Sequence, residues 1–387
     1  MESGTVLHVV AVVVLYVAYQ VQVIGKEVKQ CTGPPAAPQN PLIKSHSWER
    51  IHPVGRQPPP RLAHAAVGIA HAMYIFGGFY GSKPLGIPLT YYNDLWIYDE
   101  RTDAWELISA RGDIPKPRLH HSLVSSDDNT LILFGGFNSF MGEEGHGSFN
   151  DVHLFDIPSR TWTRVDVEGE SPLPRGSHEA VWMNQAMYVF GGFAKIGPAG
   201  HLQELWRFEP SRKRWQQLTM QGAPQNEAST ATVPEGRIGF PWVVHNGEAY
   251  MFAGGCPTGE CDDIWRYDPR SNLWTHLPSP SGMKPSPRRA SHGDVAVGGI
   301  VYQTGGMSIK GPADVEVFDD LWAFDPESNF WMPLFPNFNR GPKPNKTFGH
   351  TAVRLGQRIV IYGGRVGSPA NPGSQDLWEL TAEIPED

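Results

Sequence analysis

The chain has 387 residues, with 40 acidic against 32 basic side chains and a formal net charge of −8. This balance argues against a general nucleic-acid-binding protein, which presents a basic face to the phosphate backbone. Glycine (42 residues) and proline (35 residues) are too frequent for a helical protein, and 11% aromatic residues supply core material. The composition therefore predicts an all-β protein with many turns.

The first 25 residues differ from the rest of the chain in composition. Residues 5–18 form an apolar run interrupted only by Thr5 and His8, and Lys26 and Lys29 follow it. The run is shorter than the about 20 residues of a membrane-spanning helix and is typical of a signal peptide, whereas the lysines would suit an anchor with a cytoplasmic C-terminal side. We predict a signal peptide or membrane anchor over residues 1–25, with an extension of neither kind as the third interpretation. A proline-rich linker is expected over residues 26–44.

Two of the three cysteines lie close together in the sequence. Cys256 and Cys261 belong to a loop whose proline and glycine residues can bring the two thiols together. A disulfide between them is permitted in an oxidising compartment and is unusual in the cytosol. The sequon at Asn345 agrees with such a compartment. We predict this disulfide and a secreted or membrane-anchored protein, with a cytoplasmic location as the alternative.

From residue 45 onwards the sequence repeats one unit six times. Each unit has a pair of glycines after a short apolar run, and successive pairs are 51 to 63 residues apart. An acidic, apolar and aromatic step such as residues 94–96 (DLW) follows each pair, and a second tryptophan such as Trp105 comes after a turn. Alternation in these segments predicts four short strands per unit. Six such sheets packed around an axis bury their faces and protect their edges.

The last unit lacks its second tryptophan, and the missing segment has its match near the start of the chain. Residues 47–51 (SWERI) resemble residues 104–108 (AWELI). We therefore expect the strand around Trp48 to complete the last blade, so that residues 45–387 form one domain. The glycine pairs, the aromatic-x-x-acid pattern and the spaced tryptophans make this region resemble the kelch-repeat family. The resemblance implies an all-β, six-bladed kelch-type β-propeller whose last blade is closed by the N-terminal strand.

One arginine recurs at the same place in five of the six units, three residues before an innermost-strand position. In an up-and-down blade this place lies on the same face as the long loops after the glycine pairs. We predict a basic ring around one mouth of the channel that captures a carboxylate or phosphate group. The alternative is that each arginine pairs with backbone carbonyls or with an acid of its blade and stabilises the fold. The five residues are Arg61, Arg118, Arg175, Arg237 and Arg289.

The loops after the glycine pairs also carry aromatic residues in the first two units. We count Tyr80, Tyr92 and Phe137 as candidate partner-binding residues, because aromatic side chains often dominate interfaces. The same side chains would suit a glycan-binding propeller. Histidines recur once per unit without metal-ligand spacing, so we predict no metal site and no cofactor.

The preferred function is a non-catalytic scaffold that binds a protein or peptide, with an acidic partner as one option, through one loop face. Loops held by a rigid scaffold are frequent binding sites. An extracellular glycan-binding propeller is the alternative, and we expect no nucleic-acid partner and membrane contact only through the N-terminal segment.

A metalloenzyme is disfavoured on two grounds. A site like that of galactose oxidase needs a tyrosine linked to a cysteine, which only Cys256 or Cys261 can supply. The E-x-x-x-D-x-x-x-H iron motif of kelch-type specifier proteins does not occur in the sequence.

Overall fold

A computed structural model describes residues 45–127, 129–139, 147–194, 200–222, 232–257, 259–279, 281–285, 293–311, 314–334 and 342–383. The predicted signal or anchor segment, the proline-rich linker and Arg289 lie outside these residues. The regular elements of the described part are strands, apart from one turn of 3-10 helix at Pro210–Arg212. No helix found in these ranges is long and apolar enough to cross a membrane.

The strands of the described residues form six main antiparallel sheets, or blades, as predicted. Each blade has an inner, a second, a third and an outer strand, in that order from the central channel outwards. The strands are Ala65–Ile69, Ala72–Phe76, Leu95–Asp99 and Ala104–Leu107 in blade 1; Ser122–Ser125, Thr130–Phe134, Val152–Asp156 and Thr161–Arg164 in blade 2; Glu179–Met183, Ala186–Phe190, Leu205–Glu209 and Arg214–Leu218 in blade 3; Trp242–His245, Glu248–Phe252, Ile264–Asp268 and Leu273–His276 in blade 4; Gly293–Val297, Ile300–Thr304, Leu321–Asp325 and Phe330–Pro333 in blade 5; and Thr351–Leu355, Arg358–Tyr362, Leu377–Glu383 and Ser45–Ile51 in blade 6.

Three blades have an additional two-residue strand that runs parallel to the outer strand. Each comes from the connection that arrives from the preceding blade, so it covers an outer edge and ties two blades together. These strands are Arg111–Gly112 on blade 2, Gln221–Gly222 on blade 4 and Ser281–Gly282 on blade 5.

The N-terminal strand completes blade 6, which confirms the predicted closure. Ser45–Ile51 pairs antiparallel with Leu377–Glu383, and Trp48 lies opposite Leu380. The Trp48 side chain is 8% exposed and packs in the core between blades 5 and 6. The two ends of the described chain therefore share one sheet and lock the ring.

Aromatic contacts between neighbouring blades explain the second tryptophan of each unit. The outer-strand tryptophan of one blade packs against a second-strand aromatic of the preceding blade. Ring centroids are 5.2 Å apart for Phe76 and Trp162, and 4.8 Å apart for Phe134 and Trp215. The interfaces between blades form the core of the molecule.

The glycine pairs are required by close backbone approach. Gly77 and Gly78 have φ angles of 68° and 86°, a region that favours glycine. A Cβ atom on Gly78 would lie 2.7 Å from the carbonyl oxygen of Leu62 and 2.8 Å from Cβ of His64. The pair thus lets the second strand end beside the segment that enters the inner strand.

Candidate functional site

The two ends of the propeller differ, and the candidate site lies at the end where the inner strands begin, which we call the loop face. At this end the connections between second and third strands form short hairpins in blades 1, 3, 4 and 5. The opposite end, the turn face, carries tight turns such as residues 100–103. The hairpins pair Phe79–Ser82 with Ile87–Tyr91, Phe193–Ala194 with Gly200–His201, Gly255–Cys256 with Gly259–Glu260, and Met307–Gly311 with Asp314–Val317.

The arginine of blade 2 is buried beneath the loop face. Arg118 is 0% exposed, and its two terminal nitrogens donate to the carboxylate oxygens of Asp151 at 2.8 and 2.9 Å. The same side chain donates to the carbonyl oxygens of Gly135 at 2.8 Å and Lys116 at 3.1 Å. Arg118 therefore joins the segment entering the inner strand to the glycine pair and the third strand of its own blade.

Three other blades repeat this arrangement. We call the paired acids Asp94, Asp151, Glu204 and Asp263 the blade acids; their partners are Arg61, Arg118, Arg175 and Arg237, respectively.

In these four blades, the acid that begins the repeated three-residue step (residues 94–96, DLW, in blade 1) is therefore the ion-pair partner of the recurring arginine. In blade 1 the indole nitrogen of Trp96 also donates to Asp94, at 2.6 Å. Burial alone would raise the pKa of Asp94, but the hydrogen bonds from Arg61 and Trp96 leave that pKa below its ordinary value. Burial likewise opposes ionisation of Asp151, Glu204 and Asp263, but the hydrogen bonds from their paired arginines leave the pKa of each below its ordinary value.

These contacts correct the prediction of an open basic ring. Arg61, Arg118, Arg175 and Arg237 are fully buried and neutralised, so they hold the blades together and present no free charge to a partner. Blade 6 has Thr347 at the equivalent position, and there Asp376 is paired by Arg50 from the N-terminal strand.

The three aromatic candidates occupy different environments. Phe137 is buried, and a carbon atom of its ring lies only 2.5 Å from the position that a Cβ atom on Gly176 would take. Tyr92 lies against the guanidinium of Arg61, whose carbon is 4.4 Å from the ring centroid. Tyr80 is partly exposed on the hairpin of blade 1. Tyr92 is also partly exposed, so the structure removes Phe137 from the accessible candidates and leaves Tyr80 and Tyr92 partly accessible.

The structure joins Cys256 and Cys261 by a disulfide, with Cα atoms 5.8 Å apart. The bridge lies in the hairpin of blade 4, whose Glu260 accepts hydrogen bonds from the Ser308 hydroxyl at 2.9 Å and the Ile309 amide at 2.8 Å. The two sulfurs and an oxygen of Glu235 are close enough to hold a metal ion, but disulfide sulfurs are not the thiolates that bind metals. The bridge thus closes the hairpin of blade 4, and the hydrogen bonds to Glu260 hold this hairpin against that of blade 5.

A cavity of about 270 Å³ opens at the loop-face mouth of the central channel. Its rim is a chain of backbone hydrogen bonds from blade to blade, made by residues with left-handed φ angles. Ala63 donates to Gly349 at 3.2 Å, His120 to Ala63 at 3.0 Å, Ser177 to His120 at 2.9 Å and Gly239 to Ser177 at 3.3 Å. The fold therefore provides a rigid, central depression on the loop face.

Two carboxyl groups line this cavity, Glu179 from blade 3 and Asp294 from blade 5. Burial, together with the negative charge of Asp294, raises the pKa of Glu179 to about 8. Gln303 donates to Asp294 at 3.3 Å. The described lining contains neither lysine nor arginine.

Sequence reasoning missed these two acids, although a signal was present. Glu179 is the first residue and Asp294 the second residue after the recurring histidine of its unit. The other residues at these two positions, in all six units, are uncharged: Ala, Ser, Thr, Gly, Pro, Leu or Trp.

The recurring histidines are buried between blades and have lowered pKa values because burial disfavours the charged ring. The Nε2 atom of His64 pairs with the Thr351 hydroxyl at 2.8 Å, and that of His178 pairs with the Ser122 hydroxyl at 2.9 Å. Blade 1, which precedes the blade of His121, has Ala65 at the position of these hydroxyl residues, and alanine offers no side-chain hydrogen-bond partner. Neither ring nitrogen of His121 has a hydrogen-bond partner among the described residues.

Comparisons with known proteins agree with this architecture. The family described as KLHDC2/KLHL20/DRC7 Kelch-repeats domain matches residues 42–192, 89–233 and 149–364. Kelch domain-containing protein 3 of Bos taurus is 28% identical over 334 residues, which cover 83% of this chain and 82% of that protein, and the Homo sapiens protein matches to the same extent.

A plant enzyme is also similar. N-(sulfonatooxy)prop-2-enimidothioate sulfolyase of Thlaspi arvense is 26% identical over 348 residues, covering 82% of this chain and 92% of that protein. The kelch relatives support a general protein-interaction scaffold, whereas the name of this relative points to an enzyme. The six blades, the glycine pairs and the matched family together show that the chain belongs to the kelch-repeat β-propeller family.

Proposed function

We propose that this propeller is a non-catalytic scaffold that holds a protein or peptide on its loop face. The observation that carries the proposal is the difference between the two ends of the ring. Hairpins surround a rigid central depression on the loop face, whereas the described connections of the turn face are tight turns such as residues 100–103. Binding sites are commonly built from such loops on a rigid scaffold.

Exposed apolar side chains on the loop-face connections support this choice. Leu85, between the two hairpin strands of blade 1, is 53% exposed, and Tyr80 lies on the same hairpin. Leu173, in the connection that enters blade 3, is also exposed. Apolar and aromatic side chains of this kind serve as anchors in protein interfaces. The preference for an acidic partner loses its basis, since the four described members of the predicted arginine ring are paired with acids.

The enzyme alternatives find little support in the residues present. Glu316 and Asp320 have the first spacing of the specifier-type iron motif, but the next position is Phe324, a fully buried core residue, where the motif has histidine. A galactose-oxidase-like cofactor needs a free cysteine beside a tyrosine, and Cys256 and Cys261 bind each other. Glycan binding requires an exposed aromatic platform, whereas Phe137 is buried and Tyr80 and Tyr92 are only partly exposed.

We further propose that the protein works in an oxidising compartment. The disulfide supports this location, and so does the exposed position of Asn345 in its sequon. Intact mass of the protein from its native host, with and without reductant and glycosidase, tests the proposal. We expect a bridged Cys256–Cys261 pair and sugar on Asn345; a fully reduced, unmodified chain would contradict it.

Partner binding by matched surface variants tests the proposed function. Partners are identified by cross-linking in the native host, and the affinity of a purified partner is then measured for Leu85→Asp on the loop face and Thr102→Asp on the turn face. Both residues are exposed, so neither change disturbs the core. We expect Leu85→Asp to weaken binding at least ~10-fold and Thr102→Asp to leave it unchanged. Loss of affinity only in the Thr102 variant would place the binding surface on the other end.

A further inference from the structure

We infer that the cavity at the loop-face mouth binds the ammonium group of a peptide, supplied by a lysine side chain or by an amino terminus. The inference rests on the proposed function, because a partner held on the loop face brings such a group to the cavity. Three features carry it: the charge of the lining, the unpaired polar groups in it, and the protonation of Glu179.

The described lining carries acidic side chains, and its basic side chains are histidines. Glu179 and Asp294 are its two carboxyl groups, and lysine and arginine are absent from it. Arg61, Arg118, Arg175 and Arg237, the described arginines that precede the inner strands, are paired with the blade acids and are absent from the described lining. A partly enclosed site of this kind favours a cation, because opposite charges attract more strongly away from bulk water.

Two buried polar side chains that line the cavity lack hydrogen-bond partners among the described residues. They are His121, which is 6% exposed, and Trp242, which is 5% exposed and has an unpaired indole N–H. Buried polar groups normally have partners, so such groups point to a missing ligand or solvent. A peptide ammonium can donate to the neutral His121 ring, and the adjacent peptide carbonyl can accept from Trp242.

The titratable groups around Glu179 determine how binding responds to pH. His64, His120, His121, His178 and His350 face the cavity from blades 1, 2, 3 and 6, and Asp294 faces it from blade 5. Burial lowers the pKa of the first four histidines, so these four rings remain neutral above pH 6. The high pKa of Glu179 keeps this group largely protonated at neutral pH.

Binding of an ammonium group favours the ionised form of Glu179, so a proton passes from this carboxyl to solvent. The affinity for a lysine side chain should therefore rise between about pH 7 and pH 9, since its own pKa lies near 10.4. An amino terminus, with a pKa of about 7.7–8.0, loses its charge over the same range, and its affinity should fall above pH 8. The pH profile thus distinguishes the two sources.

Three short peptides serve as probes: an acetylated peptide amide with one lysine, the same peptide with a free amino terminus and no lysine, and one with neither amine. Binding is followed by nuclear magnetic resonance of the Trp242 indole N–H, assigned with Trp242→Phe. We expect a saturable shift with at least one amine-bearing probe and none with the third. Asp294→Asn should weaken that binding at least ~10-fold, because a hydrogen bond to a charged group is lost.

The exposed Glu235, which is absent from the described lining, provides a matched control, and Glu235→Gln should bind the probe like the unaltered protein. Glu179→Gln should remove the rise of lysine affinity with pH. An equal shift from the peptide without an amine, no saturable shift from either amine, or unchanged affinity in the Asp294 variant would overturn the inference. The probes are too short to reach the hairpin tips, so Leu85→Asp should not change their affinity for the cavity. Partner binding that is unaffected by Leu85→Asp would count against the proposed function alone, and the probe experiments test the cavity separately.

Discussion

Replacement of Arg118 by methionine tests whether the recurring arginines hold the blades together. The change removes both hydrogen bonds to Asp151 and those to the carbonyl oxygens of Gly135 and Lys116, while methionine keeps most of the apolar stem. Asp151 would then retain its charge at 16% side-chain exposure without its cationic partner. An unpaired, buried carboxylate is strongly unfavourable in the folded state.

The magnitude follows from the burial of this pair. Removing one partner of a buried ion pair typically costs about 3–5 kcal/mol. Because the Asp151 carboxylate keeps some contact with water, we expect the lower end, about 3 kcal/mol, which corresponds to a fall in melting temperature of about 4 °C for a domain of this size. The double variant Arg118→Met, Asp151→Leu removes the charge as well as the pair, and should recover at least ~1 kcal/mol.

The assay is urea unfolding followed by tryptophan fluorescence, with the midpoint and slope compared among the unaltered protein, the single variant and the double variant. A lower midpoint at unchanged slope reports a loss of stability. Thr102→Asp, an exposed change on the turn face, serves as the control. An Arg118→Met midpoint equal to that of the unaltered protein would refute the structural role of the arginines. An open basic ring that contributes only to binding predicts that result.

Three further predictions concern other parts of the ring. Trp48→Ala should lower the free energy of unfolding as much as Trp105→Ala, by about 3–5 kcal/mol each, because both tryptophans are buried at blade interfaces. Both variants should therefore have a lower urea midpoint, and an unchanged midpoint for Trp48→Ala would contradict the closure. The blade acids have lowered pKa values, so their pairs contribute stability that is present above the unfolded-state pKa, near 4, and is lost as the pH falls further. Urea midpoints measured below pH 4 should therefore fall less steeply for the double variant described above than for the unaltered protein, and equal slopes would contradict this. Gly176→Ala should cost about 1–3 kcal/mol, since the new Cβ would meet the Phe137 ring at 2.5 Å, and Gly176→Ala with Phe137→Leu should recover part of the loss in thermal unfolding.

The architecture was predictable because each repeat carries its own structural signals. Glycine pairs mark close backbone contacts, and the match between residues 47–51 and 104–108 indicates the strand exchange that closes blade 6. The disulfide was predictable from the short, turn-rich spacing of Cys256 and Cys261. These features depend on local chemistry and on periodicity, which a single sequence contains.

The site was less predictable, because spacing does not show which residues meet. The arginines recur with the third-strand acids in the same units. Blade 6 keeps its acid, Asp376, but has Thr347 in place of the arginine, and Arg50 pairs with Asp376 instead. That co-occurrence indicates an ion pair only once the blade geometry is known. Glu179 and Asp294 lie 115 positions apart in blades 3 and 5, and only closure of the ring brings both into one cavity.

The most direct measurement of the central claim is hydrogen exchange of the propeller with and without its captured partner, followed by mass spectrometry of peptides from both ends of the blades. The account predicts slower exchange in the loop-face hairpins, including residues 79–91, and in the segments that form the rim of the cavity. Exchange in the turns at residues 70–71 and 100–103 should not change. Protection confined to those turns would contradict binding through the loop face.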